Sequence, residues 1–84
     1  MIGQYRPATE INPGWHIRIQ DQDETWTWHE VAMVVETETP AGERRLRFLC
    51  KGGREAVALK TDDVMCRTPE EARQAIKEDP GRIS

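Results

Sequence analysis

Gly14-Trp15-His16-Ile17-Arg18-Ile19-Gln20 and, after Asp21-Gln22-Asp23-Glu24, Thr25-Trp26-Thr27-Trp28-His29-Glu30-Val31 decide the fold. Trp15, Ile17 and Ile19 alternate with His16, Arg18 and Gln20. A period of two marks a half-buried strand, with the three apolar side chains facing a core. Trp26 and Trp28 share one face of the next strand, and after Glu30 the apolar phase passes to Val31, Met33 and Val35. That one-residue slip predicts a β-bulge near His29-Glu30, which would bend the strand.

On the N-terminal side, Asn12-Pro13-Gly14 is a turn signal, and residues 1–13 read as an irregular lead-in. On the other side, Thr39-Pro40-Ala41-Gly42 ends the second strand. Arg44 to Cys50 would turn Leu46, Phe48 and Cys50 inward and Arg45, Arg47 and Leu49 outward. Lys51-Gly52-Gly53-Arg54 is a hairpin connection to a strand over Glu55 to Lys60. There Val57 and Leu59 are expected inward, with Ala56, Ala58 and Lys60 outward. A last short strand lies around Val64-Met65-Cys66. Thr68-Pro69-Glu70-Glu71 then forms a capping box, with Pro at the first helical position. The helix is expected over 68–79, stopping at Asp79-Pro80-Gly81, with a thin apolar stripe of Ala72, Ala75 and Ile76.

A chain of 84 residues has room for a single domain, 1–84. The pattern predicts a mainly β protein, a small five-stranded barrel over 14–67 with a short C-terminal α-helix. Hydrophobic residues at 37% and charged residues at 32% exclude wholesale disorder. The first residues lack the apolar stretch of a secretion signal, and no run is long enough to span a membrane. The two cysteines, Cys50 and Cys66, form no CxxC pair. Together these features predict a cytoplasmic protein with reduced thiols and no membrane association.

Pro13-Gly14-Trp15, Trp28-His29-Glu30-Val31, the hairpin at Gly52-Gly53 and Asp63-Val64 together resemble the SH3-like small barrels. The resemblance is to the Tudor- and KOW-type variants in short bacterial and phage proteins, and it covers roughly 13–67. It implies the barrel fold. Such barrels bind peptides, RNA or DNA, so it implies a binding module and does not choose the ligand. The chain has Tyr5, Trp15, Trp26, Trp28 and Phe48 from which to build an aromatic cradle of the Tudor kind, and no such cradle is evident in their spacing.

Charge is unevenly spread. Gln20 to Pro40 carries Asp21, Asp23, Glu24, Glu30, Glu36 and Glu38 and no Lys or Arg. Ala41 to Lys60 carries Arg44, Arg45, Arg47, Lys51, Arg54 and Lys60 against Glu43 and Glu55. Two candidate surfaces follow. The first is a protein-binding surface made of Trp26, the Asp21, Asp23 and Glu24 connector and Leu49, suited to a basic peptide or a basic protein face. The second is a nucleic-acid surface made of Arg44, Arg45, Arg47, Lys51, Arg54 and Lys60, contacting phosphates. The net charge of −3 favours the first, because overall acidity opposes polyanion binding. In both, a structural use competes: the tryptophans as core, the arginines as partners of Glu36 and Glu38. A self-associating structural subunit of phage type is a third option. Leu49, Ala56 and Ala58 would make an apolar outward patch, to be covered by the helix, a second copy or a partner.

No metal, cofactor or catalytic residue is expected. His16, His29, Cys50 and Cys66 have the atoms for zinc, but no two share a ligand-pair spacing. The chain has no nucleophile elbow, no phosphate-cradling loop and no HExxH, which leaves a Cys–His pair such as Cys66 with His29.

Overall fold

The computed structural model describes residues 2–78. Its strands are β1 (Gln4–Pro7), β2 (His16–Gln20), β3 (Trp26–Glu38), β4 (Arg44–Cys50), β5 (Glu55–Leu59) and β6 (Asp63–Arg67), followed by helix α1 (Pro69–Glu78). The protein is mainly β, with one six-stranded antiparallel sheet in the order β1-β6-β2-β3-β4-β5 and a short C-terminal helix. β1 and β5 are the ends of that sheet and are not paired with each other, so the strands do not close into a ring.

The turn between β2 and β3 sets which side chains meet the core. Asp21 N–H donates to the Thr25 carbonyl at 2.7 Å, Glu24 N–H donates to that of Asp21 at 2.9 Å, and Glu24 sits at φ 66. This turn places Ile17 opposite His29 and Arg18 opposite Trp28. Opposed residues of an antiparallel pair share a face. Thr27, His29 and Val31 therefore join Ile17 on the core side, and Trp26 and Trp28 take the outer side with His16, Arg18 and Gln20. The tryptophans do share a face, but it is the outer one.

The slip in β3 is real and lies two residues later than the sequence suggests. Val31 is opposite Cys50 and Met33 opposite Leu49, which leaves Ala32 as the extra residue. Val31 is held inward by its own backbone: its carbonyl accepts from Gly14 at 2.8 Å and its N–H donates to Trp15 at 2.7 Å. The bulge must then follow it. Beyond the bulge Val34, opposite Phe48, takes the core side, while Met33 and Val35 point outward. Thirteen residues at roughly 3.3 Å each make β3 about 43 Å long, close to the 46 Å long axis of the molecule.

β4 follows expectation, with Leu46, Phe48 and Cys50 buried. β5 reverses it. Cys50 N–H bonds the Arg54 carbonyl at 2.8 Å around Gly52 and Gly53, both at positive φ. That link puts Ala56 opposite Phe48 and Ala58 opposite Leu46, and both alanines pack on the core. Small side chains fit where two large ones already fill the space. Val57 is left outside, 52% exposed.

The lead-in is not irregular. Gln4–Pro7 pairs with Asp63–Cys66, and Ala8 N–H reaches the Asp62 carbonyl at 2.9 Å. Ala8 and Ile11 enter the core beside Ile17, Val31, Leu46, Phe48, Cys50 and Cys66. Burial of Phe48 alone contributes about 2–3 kcal/mol. Both cysteines are free and buried. The capping box forms as expected: Thr68 N–H donates to Glu71 Oε1 at 2.9 Å and Glu71 N–H to Thr68 Oγ1 at 3.2 Å. The stop expected at Asp79-Pro80-Gly81 lies outside the described residues. No described helix is long and apolar enough to cross a membrane.

Glu24 is the only non-glycine residue at positive φ among those described. Glu24→Gly is expected to raise stability by about 1 kcal/mol, because glycine adopts this backbone without steric cost. Urea denaturation of both proteins checks this, and an unchanged or lower midpoint would contradict it.

Candidate binding groove

Alternation along β2 and β3, with Arg67 at the end of β6, builds one outer face from His16, Arg18, Trp26, Trp28, Glu30 and Arg67. The Arg67 guanidinium lies 3.9 Å from the Trp28 ring centroid, and Arg18 lies 5.4 Å from that of Trp26. Cations over indole faces are held by the ring quadrupole, each contact contributing roughly 0.5–2 kcal/mol. Arg67 Nε also donates to the Ile2 carbonyl at 2.6 Å.

Trp28 reaches across this face toward the N-terminal segment. A Cβ on Gly3 would stand 3.0 Å from Trp28 Cη2 and 3.3 Å from the Cys66 carbonyl, so the close approach needs glycine. Helix α1 stands beside the indole. Between them lies a groove of about 680 Å³, lined by Trp28, His16 and Arg67 from the sheet and by Ala72, Arg73 and Ile76 from the helix. Trp26 and Ile76 are 52% and 54% exposed, so apolar surface stands open here.

Charge in the groove is positive. Arg67 and Arg73 have no carboxylate within ion-pair distance among the described residues, and Glu30 is held by Lys51. Burial pushes the Arg67 guanidinium below its usual value, with Arg18 adding to the effect and Glu71 opposing it. Burial likewise pushes His16 down, more than Glu30 raises it, which favours the neutral imidazole. Its Nδ1 is buried without a hydrogen-bond partner among the described residues.

The acidic candidates are not assembled around Trp26. Asp21 turns to the other side of the sheet, where Oδ1 meets Arg54 at 2.6 Å and Oδ2 accepts from Thr27 at 3.0 Å. Asp23 accepts from the Thr25 hydroxyl at 2.6 Å and from its N–H at 3.2 Å, which holds its carboxyl below the usual range. Glu24 is exposed at the turn. Leu49 lies on the outer face of the β3–β5 half, beside Met33 and Glu55.

The basic candidates are divided between two faces. Arg45 and Arg47 point outward opposite Leu59 and Val57. Arg44 and Lys60 flank Glu36 on the other side, at 3.5 and 3.0 Å. Arg47 meets Glu55 at 2.8 Å, Arg54 meets Asp21, and Lys51 meets Glu30. Of the six, Arg45 alone has no ion pair among the described residues. The alanines expected between them face the core, and α1 lies on the β2–β6 half, away from Leu49.

Cys66 and His29 stand on opposite sides of Ile17 in the sheet, so no pair forms. Burial pushes both thiols up, Cys66 despite the Arg6 hydrogen bond. Arg67, Gly3 and the helix face were not legible as site residues. They meet Trp28 only through the pairing of β6 with β2 and the placement of α1.

Comparisons with protein-family models, with curated proteins and with solved structures find no match for this chain.

Gly3→Val is expected to lift Trp28 off the sheet, which a shift of tryptophan fluorescence to longer wavelength would report. An unchanged spectrum in a folded variant would refute the contact. A second expectation concerns pH. Arg6 Nη1 meets Glu71 at 2.9 Å, and that hydrogen bond, aided by Thr68 N–H, holds the Glu71 carboxyl below its usual range. A carboxyl pKa lowered by folding stabilises the fold above its unfolded value, and the gain is lost as pH falls through the folded value. Wild type should therefore lose more stability than Glu71→Gln between neutral and acid pH. Urea midpoints across that range give the comparison, and equal losses would exclude the Glu71 contribution.

Proposed function

We propose that this chain is a non-enzymatic accessory binding module that engages a protein partner through the groove between α1 and the outer sheet face. The observation that supports it best is the arrangement at Trp28. A large indole and a helix with Ile76 exposed line the same groove, so an apolar cleft stands open in a small domain. Clefts of this kind, apolar with a few polar groups at the rim, are where binding energy concentrates. Trp26 stands beside it on the same face as a second aromatic contact.

The SH3-like resemblance belongs to this proposal. The register shift at Ala32, the single hydrophobic core and the return of β6 beside β2 support it. The nucleic-acid reading is the weaker one, because five of its six cations are engaged by carboxylates on two faces. Self-association through the open edge of β5 is opposed by Asp62, whose Oδ2 accepts from Leu59 N–H at 3.0 Å.

The test is selection of a phage-displayed random peptide library on wild-type protein and on Ile76→Asp, with anisotropy of labelled single-stranded RNA alongside. Ile76 is exposed, so the variant should fold normally. Peptides enriched on wild type and lost on the variant are the expected result. No enrichment, with salt-sensitive RNA binding removed by Arg45→Ala and Arg47→Ala together, would replace this reading by the nucleic-acid one.

A further inference from the structure

The charge of the proposed partner can be read from the groove, an inference that rests on the peptide-binding reading above. Overall acidity and the Asp21 to Glu24 connector suggest a basic ligand, but the local geometry opposes one. Each indole already stacks with a protein cation, Arg67 on Trp28 and Arg18 on Trp26. An incoming Lys or Arg would have to displace them. The connector's Asp21 is neutralised by Arg54 and lies on the other side of the sheet from Trp26. Among the described residues that line the groove Glu30 is the one carboxylate, and Lys51 holds it.

We infer that the groove binds an acidic-apolar peptide segment of a partner protein, its apolar side chain seated between Trp28 and Ile76 and its carboxylates on Arg67 and Arg73. Stacking fixes the plane of the Arg67 guanidinium, and its Nε bond to Ile2 fixes its rotation. A guanidinium held in this way offers its remaining N–H groups in the fork geometry that a carboxylate accepts. Arg73 is exposed on the facing helix wall and has no acidic partner among the described residues.

The composition of the selected peptides tests this separately from the binding reading. Enriched peptides should carry Asp or Glu beside Leu, Phe or Trp. One of them, resynthesised with a fluorophore, should lose affinity about tenfold on Arg73→Glu, and its Asp/Glu→Lys counterpart should bind the variant better than wild type. Arg73 is exposed and has no ion pair among the described residues, so its reversal leaves the fold intact, which circular dichroism verifies. Basic or uncharged peptides lost on Ile76→Asp would overturn the charge assignment while the groove remained a binding site. Acidic peptides unaffected by Arg73→Glu would overturn it as well. Absence of any enriched peptide, or binding of single-stranded RNA in the groove that Arg73→Glu abolishes, would overturn both readings.

Discussion

The hairpin register between β2 and β3 governs most of what this protein presents to solvent. Asp21 and Thr25 close the turn, Glu24 takes a left-handed backbone to complete it, and Ile17 is thereby set against His29. A register shift of one residue would exchange the two faces of both strands. In the observed register the core receives Ile17 and Val31, and the outer face receives two tryptophans and Arg18. The large aromatics, which carry the most burial energy per residue, are therefore spent partly on a surface groove. The core is left to Phe48, branched aliphatics and two cysteines.

That division explains the electrostatics. The chain separates acidic and basic segments along its sequence, and folding brings them back together. The link between β4 and β5 carries Lys51 and Arg54, which meet Glu30 and Asp21 across the fold. At the far end of the long hairpin, Glu36 sits between Arg44 and Lys60. Exposed pairs of this kind add little stability each. Their larger effect is to neutralise Asp21 and five of the six basic candidates, while Arg67 and Arg73 in the groove beside Trp28 have no ion pair among the described residues.

Much of the secondary structure was legible because it depends on short-range rules. The alternation over Trp15 to Ile19 and over Leu46 to Cys50 named strands and faces correctly. Thr68-Pro69-Glu70-Glu71 carried its helix start in the spacing of two side chains and one ring. β1 was not legible, since Gln4-Tyr5-Arg6-Pro7 has no apolar alternation and exists as a strand only because β6 lies beside it. The faces of Val57 and Leu59 were misread for a related reason. Hydrophobicity shows which side chains gain from burial, whereas register and available volume decide which of them obtain it.

The sequence by itself determined a mainly β chain, the positions of its principal turns, the inward faces of β2 and β4 and the capped start of α1. Each of these follows from interactions within a few residues, where spacing and geometry are nearly equivalent. The tertiary structure decided the site. Trp28 lies over a glycine distant in sequence, under an arginine from the last strand and beside a helix that begins after it. Those neighbours come from opposite ends of the chain and meet only because β6 returns to pair with β2. No local pattern encodes that meeting, because it is the joint outcome of strand order, register and the size of the core.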